Sequence, residues 1–277
     1  MKNYQDILFP YAYNILGSVE DAKDTIQDVL MKYLSVDKRN IENEIGYLIK
    51  SVINQSINVK KRKNKISVNN VWLPEPISTE NPDDNLNKNE ILSYSLLTLL
   101  EKLTAKERAV FILKEAFDYA HQEIADTLTL TIENSRKLLS RAKTKLNDYN
   151  LTSESVEQSA TRILLNPYIE VMKRGDMDAL EKLLSKDILL TADGGENIKV
   201  VKEFSTGIKE TSQLLLYVFN AFLIGLEMKF GVINHQPAIL FFKQGKLSNC
   251  QVFEFENDKI KRIYSIVDPQ KLKSFYA

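Results

Sequence analysis

The chain has 277 residues, 44% of them apolar. That is enough for two or three packed domains and excludes a disordered chain. Lys plus Arg and Asp plus Glu number 37 each, so net charge identifies no partner and the distribution of charge along the chain must be read instead. The single cysteine, Cys250, excludes an internal disulfide framework and a cysteine-rich zinc site.

Residues 4–65 read as helices. Ile7, Leu8, Tyr11, Ala12 and Ile15 recur at helical spacing until Gly17-Ser18 breaks the pattern. Asp6, Pro10 and Asn14 interrupt any secretory pattern, so the expected location is the cytoplasm. Ser18 is placed to cap a second helix carrying Ala22, Ile26, Val29, Leu30 and Tyr33, with Asp21 suited to its first turn. A third helix begins near Glu44 and ends in Lys60, Lys61, Arg62, Lys63 and Lys65, the densest positive run in the chain. Residues 66–89, with Pro74, Pro76 and Pro82, have the composition of a linker. Within it Trp72-Leu73-Pro74-Glu75-Pro76 holds the only tryptophan; a flexible tether does not need one, so this piece is expected to dock.

Residues 90–148 return to helical spacing. One helix is expected over 91–103, and Thr104 with Glu107 forms a capping box for the next. Two more helices, 122–128 and 132–146, flank Thr129-Leu130-Thr131. After a polar, Ser-rich stretch at 151–160, helices are expected at about 157–174, 176–185 and 197–222. Strand character follows at 226–233, 238–243, 247–256 and 259–267, with turns at Gln244-Gly245 and Asn257-Asp258. This predicts an antiparallel meander with helices packed on it. The most apolar run, 214–226, contains Asn220 and is too short to span a bilayer, so no membrane association is expected.

The segment 123–143 has the grammar of a helix-turn-helix. Ala125 is small where two helices cross, Leu130 can plug the core from the turn, Thr131 can cap the second helix and Leu138 faces the first. Arg136, Lys137, Ser140, Arg141 and Lys143 fall on other faces, as in a helix that enters the major groove. An αα-hairpin with a solvated charged face has the same spacing. Thr129 departs from the pattern, since a left-handed turn position favours Gly.

Residues 119–143, together with the Leu103-Thr104-Ala105-Lys106-Glu107-Arg108-Ala109-Val110-Phe111 helix, resemble region 4 of extracytoplasmic-function sigma factors of RNA polymerase, in the sigma-70 superfamily. Residues 16–29 resemble the clamp-binding helix of region 2, and Tyr47-Leu48 through Asn58 the segment that reads and melts the −10 element. The Trp72–Pro76 motif resembles the linker of the subgroup with a fused C-terminal SnoaL-like domain. Asp193-Gly194-Gly195 resembles the start of that group's glycine-rich motif, though Glu196 and Asn197 follow where Gly and Lys are usual. Asp268-Pro269-Gln270-Lys271-Leu272 resembles its closing motif, with Asp and Gln where Asn and Asp are usual.

The resemblance implies a multidomain chain: region 2 at 1–66, a linker at 67–89, region 4 at 90–149 and a regulatory domain at 155–277. The first and third are all-α; the last is an α+β cone with a curved antiparallel sheet. It implies core polymerase contacts from Asp21, Asp24, Gln27 and Asp28, and −10 contacts from Lys50, Asn54, Asn58, Lys60, Lys61 and Arg62. The −35 contacts would come from Glu133, Asn134, Arg136, Lys137, Ser140, Arg141 and Lys143. Trp72, Leu73, Pro74, Glu75, Pro76, Asp193, Gly194, Gly195, Asp268, Pro269, Lys271 and Leu272 would form an interdomain regulatory contact. Core RNA polymerase and promoter DNA are the implied partners, with an unidentified small ligand in the C-terminal cavity as a third; no metal or cofactor is implied. Two alternatives remain: a helix-turn-helix regulator that does not bind polymerase, and a cavity enzyme fused to a DNA-binding arm, with Asp193, Asp268 or His235 as candidate bases.

Overall fold

The computed structural model describes residues 4–63, 71–80, 88–146 and 158–275. Lys65, the ends of the expected linker and most of the Ser-rich stretch lie outside them. The chain divides into two compact units. The first comprises described residues 4–63, 88–92 and 96–146; the second comprises 71–80, 93–95 and 158–275. The expected linker is therefore not a tether throughout, because residues 71–80 belong to the second unit.

The first unit is all-α. Helix α1 (Tyr4–Leu16) is buried from Leu8 through Leu16, the pattern of a helix enclosed by its neighbours. Gly17, at φ 74°, ends it. Ser18 then caps α2 (Val19–Leu34), its hydroxyl accepting from the Asp21 N–H at 3.2 Å. Helix α3 (Glu44–Lys63) buries Leu48, Val52, Ile53, Ser56, Ile57 and Lys60 along one stripe.

The helix expected over 91–103 is shorter. It comprises α4 (Tyr94–Leu99) and a 3-10 turn, Leu100–Lys102. Ser93, Ser95 and Thr98 are weak helix formers, and the Ser95 N–H donates to Gln236 Oε1 at 2.7 Å. Thr104 and Glu107 make the expected capping box on α5 (Ala105–Glu115). The remaining helices are α6 (His121–Leu128) and α7 (Ile132–Leu146). One core runs through the unit, joining Tyr11, Ile15, Ile53 and Ile57 to Leu100, Val110, Leu113, Ile124 and Leu138.

The second unit is α+β. Helices α8 (Gln158–Arg174), α9 (Met177–Leu183) and α10 (Ile208–Val218) accompany a six-stranded sheet. Its strands are β1 (Leu184–Asp193), β2 (Phe204–Thr206), β3 (Glu227–Ile233), β4 (Gln236–Lys243), β5 (Lys246–Glu256) and β6 (Lys259–Ile266), in the order β2-β1-β6-β5-β4-β3. The meander β3–β6 is antiparallel, as expected. Its hairpins at Gln244-Gly245 and Asn257-Asp258 have positive φ at both turn residues, the twist that suits two-residue loops.

Two strands were not foreseen. The helix expected over 176–185 ends at Leu183 and the chain extends directly into β1, which lies parallel to β6. The helix expected from 197 begins only at Ile208, after β2 and Gly207 at φ 80°. Register shifts at Phe241/Phe242 and Glu254/Phe255 are bulges that bend and twist the sheet. No described helix is long and apolar enough to cross a membrane.

Candidate DNA-reading surfaces and the docked linker

The α6–turn–α7 segment is built as the spacing predicts. Ile124, Ala125 and Leu128 pack inward from α6, and Ser135, Leu138, Leu139, Ala142 and Leu146 from α7. Thr131 caps α7, its hydroxyl accepting from the Asn134 N–H at 3.1 Å. Thr129 takes the left-handed conformation, φ 53° and ψ 56°, with its N–H bonded to Ala125 O. Glu133, Asn134, Arg136, Lys137, Ser140, Arg141 and Lys143 are all exposed on the outer face. Lys137 pairs with Glu133 at 2.7 Å and Lys143 with Glu115 at 2.8 Å.

On α3 the candidates separate. Lys50, Asn58, Lys61 and Arg62 are exposed. Asn54 is half-buried and donates to Thr127 O of α6 at 2.8 Å. Lys60 lies on the buried stripe, 6% exposed, and donates to Glu101 at 2.7 Å and to Leu16 O at 3.2 Å. Arg108, fully buried, bonds the other Glu101 oxygen through Nη1. Its Nε donates to Asn14 O at 2.9 Å.

Burial, and then the charge of Arg108, push Lys60 down to about 8 even with Glu101 beside it. Burial alone would raise the Glu101 carboxyl, but the two cations hold it below the usual range. Asn14, also buried, donates to Glu90 O at 2.8 Å and accepts from the Leu92 N–H at 3.1 Å. The Tyr11 ring stacks on Phe117 with centroids 4.1 Å apart. These side chains stitch α1 and α3 to the α4–α6 segment, and sequence reasoning missed them.

On α2, Asp24, Gln27 and Asp28 are exposed, whereas Asp21 is bound by Lys63 at 2.7 Å. Met31 and Leu34 continue the open face, 63% and 79% exposed. Met31 lies four residues from Gln27 and three from Asp28, and Leu34 three beyond Met31, which makes an apolar and acidic stripe on one side of the helix.

The expected interdomain residues converge within the second unit. Asp193, at the end of β1, accepts the Leu73 N–H at 2.7 Å and pairs with Lys271 at 2.5 Å. Its other oxygen accepts the Gly195 N–H at 2.8 Å. Lys271 donates to Leu73 O at 2.7 Å and lies 4.6 Å from the centre of the Trp72 ring. Leu73 and Leu272 are fully buried in one core with Tyr94, whose hydroxyl donates to Pro74 O at 2.6 Å. Glu75 and Pro76 are buried, while Pro269 is exposed.

The two glycines have steric reasons. A Cβ on Gly194 would sit 1.8 Å from Ile198 O, and Gly195, at φ 64°, has Asp268 Oδ2 2.4 Å from where its Cβ would be. Further along, Ile77 and Asn234 exchange hydrogen bonds, and the Thr79 N–H donates to Val232 O. Ser78 bridges Ile233, and Glu80 accepts the Val232 N–H at 2.7 Å, so the segment covers the open edge of β3. Of the three candidate bases, Asp193 is committed to the linker, and Asp268 accepts the Gln270 N–H at 2.9 Å. His235 sits in the β3–β4 turn at φ 64°, its N–H given to Thr79.

Residues 93–146 match the family described as sigma-70, region 4. Over 276 residues the chain is 26% identical to the probable extracytoplasmic-function RNA polymerase sigma factor SigI of Mycobacterium tuberculosis, covering 98% of this chain and 92% of that one. The chain is an extracytoplasmic-function sigma factor. SigJ of the same organism is 24% identical over 192 residues, 67% of this chain and 61% of that one. The crystal structure of M. tuberculosis SigJ superposes on this sigma factor with a TM-score of 0.79, at 20% identity over 98% of this chain and 96% of the other. The fold is thus shared along the whole length.

Proposed function

We propose that this sigma factor contacts core RNA polymerase through the α2 stripe, reads the −35 element with the outer face of α7 and the −10 element with Lys50, Asn54, Asn58, Lys61 and Arg62 of α3. The C-terminal domain restrains it in cis by holding the linker. In this reading region 2 ends near residue 66, region 4 spans 90–149 and the regulatory domain, 155–277, also claims 71–80.

A distance argument supports the restraint. Elements centred at −10 and −35 lie about 25 base pairs apart, roughly 85 Å along a duplex. A compact body of the first unit's size is only about 40 Å across. Regions 2 and 4 share one core, and Asn54 is bonded to α6. The packed first unit therefore corresponds to a DNA-free form, and promoter binding requires the two regions to part. A linker held along its middle opposes that parting.

The observation that carries the reading is the pair of hydrogen bonds that take both backbone groups of Leu73 into the Asp193–Lys271 pair. Asp193→Asn and Lys271→Ala, made in the full chain, test it. Trp72, the only tryptophan, reports docking by its fluorescence. The expected result is a red-shifted emission together with a rise in promoter-dependent initiation by core polymerase. Red-shifted emission with unchanged initiation would sink the restraint. Absence of core-dependent initiation from wild type and variants alike would sink the promoter reading itself.

A further inference from the structure

The second unit encloses a cavity of about 440 Å³ between α10 and the sheet, the size of sites that take drug-like molecules. Its wall is apolar, formed by Leu190, Leu214, Leu215, Val218 and Leu226. At its mouth Ile198, Val201 and Phe222 are exposed. Two exposed lysines, Lys199 and Lys243, also line it. Neither has an ion pair among the described residues, whereas Lys202 beside them is neutralised by Glu210. Lys243 faces Lys246 across the β4–β5 hairpin, which adds to the positive potential there. No Asp or Glu lines the cavity among the described residues.

Asn249, Gln251 and Ser265 also line it, and all three are buried. Asn249 and Ser265 satisfy each other at 3.2 Å. Gln251 Oε1 is buried and has no hydrogen-bond partner among the described residues. Buried polar atoms are nearly always paired, so an orphaned acceptor in a cavity wall calls for a donor from outside the chain.

We infer that the cavity binds a hydroxylated apolar carboxylic acid. Its carboxylate meets Lys199 and Lys243 at the mouth, its hydrocarbon body lies along the apolar wall, and its hydroxyl donates to Gln251 Oε1. Two separate lysines suit a monoanion; they offer no planar fork of the kind Arg gives to phosphate. The polar inner end distinguishes this ligand from a plain fatty acid, whose terminal methyl would leave the amide oxygen unpaired.

Calorimetric titration of the full chain, independent of transcription, tests this. The probes are dodecanoate, ω-hydroxydodecanoate and dodecanol, all below their aggregation limits, and vesicles of phosphatidylglycerol. The hydroxy acid is expected to bind one to one and about fivefold tighter than dodecanoate, the ratio one net hydrogen bond gives. Dodecanol is expected to bind more weakly than dodecanoate, and Lys199→Gln with Lys243→Gln to close that gap. Gln251→Leu removes the orphaned acceptor, so it should fold and reverse the preference, with dodecanoate the tighter ligand. Gln251→Met serves as a second variant with the same expectation. No saturable binding of either acid overturns the inference. So does equal binding of the two acids by wild type and Gln251→Leu, or binding to vesicles alone, which would make the lysines a lipid-headgroup surface.

Discussion

Glu101→Gln tests the packed form of the first unit at its most charged point. Glu101 stands between Lys60 and Arg108, which are 6% and 0% exposed. Neutralising it leaves two buried cations with no carboxylate between them. Removing one partner of a buried ion pair costs about 3–5 kcal/mol, because the remaining charge stays desolvated. Lys60 can escape part of that cost by losing its proton. Its pKa is already about 8 beside Glu101 and falls further without it, so the loss belongs at the lower end, about 3 kcal/mol.

The sign with pH follows from the same shift. Lys60 titrates near 8 when folded against an ordinary 10.5, so the unfolded chain binds more protons between those values and stability rises with pH across that window. In the variant the window opens at lower pH, so the deficit against wild type shrinks on the alkaline side; it also shrinks in strong acid, where the wild-type Glu101 is itself protonated. Because these side chains join α1 and α3 to the α4–α5 segment, the cost falls on their packing and not on an opened form. About 3 kcal/mol shifts the balance towards opening by roughly a hundredfold. Denaturant midpoints across pH, solution scattering and core-dependent initiation check this; the variant is expected to be less stable, larger in radius and more active. A stability loss below about 1 kcal/mol with an unaltered pH profile would refute the triad argument. A full loss with unchanged radius and reduced initiation would refute the packed form as the restrained one.

Thr129→Gly should raise the stability of the first unit by about 0.5–1 kcal/mol. A β-branched residue at φ 53° is strained by about 1–2 kcal/mol, of which glycine's greater freedom in the unfolded chain returns a part; a fall in the denaturant midpoint would contradict this. Arg136→Ala, at an exposed position with no ion pair among the described residues, is expected to weaken binding of polymerase–sigma complex to its promoter by about 1–3 kcal/mol and to relax preference within the −35 element. Unchanged affinity and an unchanged salt slope would remove Arg136 from the DNA contact.

Much of this fold is legible in the sequence wherever one rule dominates. Ser18, Thr104 and Thr131 announce their helices through side-chain caps, and the four meander strands announce themselves by turn residues at Gln244-Gly245 and Asn257-Asp258. The first sheet strand does not, because Leu184–Asp193 follows α9 with no Gly, Pro or Asn between them and lacks strict alternation. Its partner is β6, about seventy residues on, so no local pattern records the pairing. Among the site residues, Lys60 is buried in the packed form, unlike its basic neighbours Lys61 and Arg62. Its spacing from Ile53, Ser56 and Ile57 places it on the buried stripe of α3, a signal present in the sequence. Glu101 and Arg108 carried no such signal, since what defines them is a cation from another helix. The Trp72–Pro76 motif was legible as a docking piece, but Asn234 and Glu80, which fasten the segment to the β3 edge, are ordinary turn and loop residues until the sheet exists.

Under the proposed restraint, the linker is the means by which a domain controls promoter binding without touching a base. From Lys63 to Lys88 the chain takes about 25 steps and can extend to roughly 85 Å, a reach comparable with the separation of the two promoter elements. Fixing residues 71–80 leaves about eight steps of chain on each side, a reach of at most roughly 27 Å apiece. Pro74 and Pro76 suit such a segment: their fixed φ lowers the entropy lost on docking. Leu73 between Trp72 and Pro74 supplies the free N–H and carbonyl that Asp193 and Lys271 take. The proposed restraint therefore acts on reach and leaves the reading surfaces unaltered. Loss of the Asp193–Lys271 pair should change how often regions 2 and 4 engage a promoter together, while base discrimination by each stays as it was. A ligand in the C-terminal cavity can set that frequency only through a difference in affinity between the docked and released forms, and the path for such a difference is short. Ala192 and Val267 both line the cavity; Asp193 follows Ala192 directly, and the Val267 N–H donates to Asp193 O at 2.9 Å.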